Sequence, residues 1–451
     1  MRASFFVSCL LIISSLFLSC KGRTGTDELF VSIPSHPLRN ANDLDSLINS
    51  IGDARVVLLG EASHGTSEFY TWRAAISKRL IQEKGFDMIG VEGEWADSYR
   101  VNQFVRGPQR DSLQTLALLQ QYNRWPTWMW GNYEVASLVT WMNNWNQSKA
   151  AAEKVGFYGL DVYCIWESME ELMLYIQGND SLMQMANEVR SCFQPYSADP
   201  GQYAYAVATA SANCRAQVQK LWQAVSQLTG PGTGDTEAEL VMQQNALVAV
   251  NGENYYRTSV SNSGASWNIR DRHMTATIKR LLEFHGPDSK IIVWEHNTHV
   301  GDARFTDMAA AGMVNVGQLV REEFGQDNVY IVGFGSYKGQ VIAADEWGGS
   351  IETMRVPNAK RGSWEDMLHR SGAENKLLFS KELQNNPTFM KSIGHRAIGV
   401  QYDPGREAGN YVPTIVPKRY DAFIFIDEST ALRPLKITPR NEPPDTYPSG
   451  Y

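Results

Sequence analysis

The feature that most constrains this chain is an alternation. Six short apolar runs, at residues 55–59, 88–91, 155–160, 290–294, 329–333 and 422–426, are separated by longer stretches of helical periodicity. A strand that is apolar at almost every position is buried on both faces, and such strands belong to parallel sheets whose crossovers are helices. The expected fold class is therefore α/β, a mostly parallel sheet covered by helices, over residues 40–430. Residues 67–84 predict a helix opened by Thr66 or Ser67 and stopped by Gly85. From 165 to 284 the strand-like runs vanish, and the Gln-, Ala-, Met- and Leu-rich text, broken once at 229–234, predicts a helical insertion or cap. Residues 434–451 hold five prolines and no apolar period, the mark of an irregular tail.

Residues 1–20 read as a targeting segment. Arg2 precedes an apolar run from Phe5 to Phe17 that is short for a membrane span, and Ser19 stands before Cys20. This is the pattern of lipoprotein processing with Cys20 lipidated, simple secretion being the alternative. The chain is expected to be exported, periplasmic or membrane-anchored, and to touch a membrane only through an N-terminal lipid anchor. Disulfides persist in such compartments. Beyond Cys9 and Cys20 only Cys164, Cys192 and Cys214 remain, so one bridge at most can form among these three. Cys192 with Cys214 is the natural pair, and buried thiols or another pairing stay open.

A net charge of -8 with no dense Lys/Arg run leaves no electrostatic footprint for a nucleic acid, so none is expected as a partner. Thirteen Trp and nineteen Tyr can be core or can line a pocket for a bulky, partly apolar small molecule.

In open parallel sheets ligands bind beyond the carboxyl ends of the strands. Here four expected strands deliver acids or histidines at that end. Run 55–59 leads into Glu61 and His64, run 88–91 into Glu92 and Glu94, run 155–160 into Asp161, and run 290–294 into Glu295, His296 and His299. Gly60 and Gly65 bracket His64 and permit a tight turn. The following helix should turn its positive end toward His64 and keep the ring neutral, as a general base must be. Glu61 can orient that ring. A buried Glu92 needs a partner, either Arg73 or a pocket histidine, and Arg73 is also a candidate for stabilising an oxyanion. His296 and His299 are spaced to share one face of a helical turn.

Standard nucleophile and phosphate-loop signatures are missing: there is no G-x-S-x-G elbow and no Walker or dinucleotide glycine motif. Cys164, a lone cysteine after a strand, is a weak alternative nucleophile. Without HExxH or a cysteine-pair motif, no metal or other cofactor is expected. A metal-dependent hydrolase built on the same residues remains an alternative. So does a surface lipoprotein that only holds a ligand.

Gly60-Glu61-Ala62-Ser63-His64-Gly65, Arg73, Val91-Glu92-Gly93, Tyr99-Arg100-Val101-Asn102 and Val105-Arg106-Gly107 resemble the opening of the erythromycin esterase family. The likeness continues through Trp128-Met129-Trp130, Glu134, Gly159-Leu160-Asp161, Arg270-Asp271, Trp294-Glu295-His296-Asn297-Thr298-His299 and Arg396-Ala397-Ile398-Gly399, so it spans about residues 44–427. The resemblance implies a metal-independent hydrolase that opens a macrolide lactone. His64 would be the base, with Glu61, Arg73, Glu92 and His296 or His299 in support. Glu68, Asp161, Trp128 and Trp130 are candidate substrate contacts. The chain departs from the pattern at Glu295, where a small residue such as alanine is expected, and this extra acid would tilt the pocket toward another substrate or a cation. The stretch 91–107 is closer to the broad branch of the family, whose members include proteins labelled succinoglycan biosynthesis.

Overall fold

Each of the six apolar runs is a strand of one sheet. The computed structural model describes residues 32–196, 200–210, 213–228 and 236–439. The expected targeting segment with Cys20, the break at 229–234 and the tail beyond 439 lie outside them.

Among the described residues the strands are β1 (His36–Pro37), β2 (Val56–Leu59), β3 (Met88–Glu94), β4 (Gly156–Asp161), β5 (Ile291–Trp294), β6 (Val329–Ala343), β7 (Glu352–Val356), β8 (Lys376–Phe379), β9 (Ile393–Arg396), β10 (Tyr411–Thr414) and β11 (Ala422–Ser429). Nine form one sheet in the order β1-β8-β11-β6-β2-β5-β3-β4, with β7 beside β6, while β9 and β10 pair separately. From β4 across to β11 every pairing is parallel. The edge additions β7, β8 and β1 are antiparallel. The parallel strands are the ones legible as apolar runs, for a simple reason. Val57 and Leu59 enter one core cluster, while Val56 and Leu58, pointing to the other face, are equally inaccessible. The edge strands carry no such signature: β7 reads Glu-Thr-Met-Arg-Val and is exposed at three of its five positions.

The helix Ser67–Lys84 follows β2 with Thr66 as N-cap and Gly85 as its left-handed stop, φ 67°. Its apolar side packs with β2, β3, β5 and the helices Trp95–Arg106 and Tyr133–Asn146 in the main core. Between β4 and β5 the described chain is helical, from Ile165–Tyr175 through Glu237–Ser259 to Ser263–His285, and it closes a second apolar cluster of its own. Cys192 and Cys214 are joined within it. No described helix is long and apolar enough to cross a membrane. Past β11 the chain is irregular but not loose, since Leu435 is buried and its N–H donates to the Gly131 carbonyl, 2.8 Å.

Candidate active site

The carboxyl ends of β2, β3, β4 and β5 converge. The turn after β2 can be this tight because two of its residues lack a side chain. A Cβ at Gly65 would stand 1.9 Å from the Ile342 carbonyl oxygen, and one at Gly60 would stand 2.1 Å from the Asn297 side chain. On this turn His64 Nδ1 meets Glu61 Oε1 at 2.9 Å. The other Glu61 oxygen accepts from Arg73 Nη2 at 2.6 Å. Arg73 is wholly buried between the Tyr70 and Trp294 rings, 4.4 and 4.6 Å from their centroids. With Nδ1 committed to Glu61, Nε2 is the ring nitrogen that His64 offers to the cleft it lines.

At the end of β3 a bulge intervenes: three steps from Val91 to Glu94 match two steps from Gly159 to Asp161 on β4. Glu92, Gly93 and Glu94 all reach the cleft. Glu92 accepts from Arg270 Nη2 at 2.8 Å and from the His296 N–H at 2.8 Å, and His299 Nε2 lies 3.4 Å away. Arg270 also clamps Asp161 through two bonds of 3.0 and 2.7 Å and donates to His299 Nε2 at 3.0 Å. The remaining His299 nitrogen, Nδ1, meets Asp271 at 2.9 Å, and the ring is stacked on Trp267.

His296 caps the short helix Asn297–Val300 and its ring lies 4.9 Å from that of His64. The backbone N–H of Thr298 points at His296 Nδ1, 3.3 Å, which marks Nδ1 as an acceptor and leaves the proton on Nε2. Nε2 is buried, with the Ala62 carbonyl, which also accepts from the Ile398 N–H, as its nearby acceptor.

Electrostatics sort these groups. Burial works against a charge on His64, but the hydrogen bond to Glu61 and the negative charges of Glu92 and Glu61 outweigh it, so its pKa stands above the ordinary value. The helix end pulls toward a neutral ring, and the two carboxylates pull the other way. Burial and the neighbouring His64 ring hold His296 well below an ordinary histidine. Glu92 is held well below the carboxylate range, because His299, Arg270, His64 and the His296 N–H together overcome its burial. Glu94 goes the other way, raised to about 7 by burial and by the charges of Asp97 and Asp161, against the pull of Arg124.

Of the two partners expected for Glu92, Arg73 does not reach it, while a pocket histidine, His299, lies 3.4 Å away. Arg73 belongs to Glu61, and Arg270, brought by the last helix of the insertion, serves Glu92. Of the expected substrate contacts, Asp161 and Trp130 line the cleft. Trp128 is fully buried behind Trp125, and Glu68 is turned away to Thr430, 2.6 Å from its hydroxyl. Glu295 does not line the cleft. It is fully buried with neither oxygen hydrogen-bonded, and burial, with repulsion from Glu92 and Asp271, raises its pKa well above the ordinary value. Cys164 is buried and its thiol is pushed up to about 12, which removes it as a nucleophile. Among the described residues no group of three or more His, Cys, Asp or Glu side chains is arranged to hold a metal ion.

Arg270, Glu94, Arg124, Trp125 and Trp347 complete a narrow cleft of about 90 Å³. The sequence by itself assigns none of them a role, although Glu94 is among the acids that follow run 88–91 and Arg270 falls in one of the motifs quoted above.

The erythromycin esterase family profile matches residues 81–429. An Escherichia coli protein named erythromycin esterase type II is 22% identical over 419 residues, 88% of this chain and 94% of that one. Among solved structures, a Bacillus cereus protein superposes with a TM-score of 0.75 at 20% identity, covering 89% of this chain and 97% of its own. A succinoglycan biosynthesis protein gives 0.72 at 18% identity, covering 88% and 95%. A mutant erythromycin esterase in its open conformation gives 0.60 at 16% identity, covering 87% and 95%. At such identities these structures establish a common fold.

Proposed function

Because the chain belongs to the erythromycin esterase family, we propose that it hydrolyses an ester or lactone of a small organic molecule with a water that His64 deprotonates. The observation that carries this reading is the relay from the His64 ring through Glu61 to Arg73, with contacts of 2.9 and 2.6 Å. It sets the tautomer and leaves Nε2 toward the cleft. Nε2 takes a proton from water while the water oxygen attacks the ester carbonyl. The negative charge on the carbonyl oxygen is met by the Arg270 guanidinium, which lines the cleft beside His64. As the tetrahedral adduct collapses, the departing alkoxide takes a proton from the His64 imidazolium or from Glu94. Glu92 and Arg270 hold the two later histidines in position.

The substrate class we favour is a macrocyclic lactone, the kind of molecule in the name of the Escherichia coli relative. Trp125, Trp130 and Trp347 around the cleft suit a bulky, partly apolar ring. The same proposal puts the mature chain outside the cytoplasm, anchored at Cys20, and the disulfide between Cys192 and Cys214 supports an oxidising compartment.

The test is to incubate the purified chain with macrolides and simple esters and look by mass spectrometry for the gain of one water. On a confirmed substrate His64→Ala should lower turnover by about 100-fold or more, and a loss under about tenfold would mean the role is misassigned.

A further inference from the structure

His299 is backed by Trp267. The two rings lie 4.4 Å apart and within 6° of parallel. Trp267 belongs with Ala303, Met308 and Met313 to a small apolar cluster separate from the two larger ones. Apolar side chains in a protein interior normally close on one another to crystal-like density. Here Trp267, Met308 and Met313 instead line a second cleft with Ala311, Tyr411 and Val412, about 360 Å³ in volume. That is the composition of a small-molecule pocket, with methionines able to adapt to an occupant's shape.

The walls are held in place. The Trp267 indole N–H donates to the Val314 carbonyl at 2.8 Å. Asn268 then ties the same loop twice, donating to the Gly312 carbonyl at 3.0 Å and accepting from the Val314 N–H at 2.8 Å. Asp307 is the one charged residue on the lining, which disfavours an anionic occupant and offers no strong reason for a fixed cation. Thr298 also lines this cleft, and its hydroxyl lies 2.8 Å from His296 Nδ1. An occupant would therefore touch the two residues against which His296 and His299 rest.

We propose that this cleft is a second ligand site, for a neutral and mostly apolar small molecule, whose occupancy is felt at His296 and His299 through Thr298 and Trp267. The site stands on packing and does not depend on the ester chemistry.

The test titrates the uncharged fluorescent probe N-phenyl-1-naphthylamine into the full chain. Saturable binding is expected, weakened at least about tenfold by Ala311→Trp, which fills the cleft from its exposed rim. Met313→Asp, which adds a charge to the apolar wall, should weaken it similarly, so the result does not hang on one variant. His64→Ala should bind the probe as the parent does, which separates failure here from failure of the esterase reading. In the same titration the imidazole proton resonances of His296 and His299 should move, and should stay in place in Ala311→Trp. Absence of saturable binding, or equal binding by both cleft variants, overturns the site. Binding that leaves both histidines unmoved overturns the coupling.

Discussion

The Arg270 guanidinium lies 2.8 Å from a carboxylate oxygen of Glu92, and this contact ties the helical insertion to the rim of the parallel sheet. The same guanidinium serves Asp161 at 2.7 Å, so one cation answers two buried acids from two strands. Its removal leaves Asp161 without its guanidinium partner and Glu92 with only the two histidines and a backbone N–H to offset its charge.

Arg270→Met should therefore destabilise the protein by roughly 3–5 kcal/mol, the usual consequence of stranding a buried charge. Urea unfolding would read this as a lower midpoint at an unchanged slope. A midpoint within error of the parent would mean that solvent already screens Glu92 and Asp161.

Glu94 should impose a pH dependence of its own. Its folded pKa of about 7 lies above the ordinary value of 4.5, so the native state binds this proton more tightly than the unfolded chain. The stability that results is fully present below the unfolded pKa and is lost as pH rises through about 7. Glu94→Gln removes the titration and should flatten the fall in stability between about pH 5 and 8. If Glu94 also donates a proton to the leaving group, the alkaline limb of kcat/KM near pH 7 should disappear in the same variant. Retention of that limb would leave the proton donation to His64.

Glu295 offers the opposite kind of substitution. A buried carboxyl with neither oxygen bonded is a cost to the fold, and an apolar side chain of similar size removes it. Glu295→Leu should stabilise the chain by roughly 1–3 kcal/mol at neutral pH. Because burial raises the Glu295 pKa in the folded state, its stability contribution is lost as pH rises above the unfolded value, so the advantage of leucine should grow with pH. Thermal unfolding at pH 4 and pH 8 checks both statements. A destabilised Glu295→Leu at both pH values would mean that the acid has a partner in solution.

Much of the site was legible before any tertiary contact was known. Glu61 and His64 are three residues apart on one turn, and their hydrogen bond is a local event that spacing alone makes available. Glu92, Asp161 and His296 each follow an apolar run, and a parallel sheet delivers such positions to a common edge. Arg270 was harder to find. It lies mid-helix, 178 residues from Glu92, and although it falls in a quoted motif, no local spacing or periodicity assigns it to that acid.

What the sequence determined by itself is the layer plan: six doubly buried strands, the helix Ser67–Lys84 between its cap and its glycine stop, and the edge at which acids and histidines gather. These follow from local periodicity, turn chemistry and solvent exclusion, which act over a few residues at a time. Tertiary structure alone decided which arginine serves which acid, that His64 is drawn toward protonation, that burial pushes the Glu295 carboxyl toward its neutral form, and that Trp267 stands behind His299. Each of those outcomes depends on the distance between groups far apart along the chain and on how much water remains between them, and packing sets both.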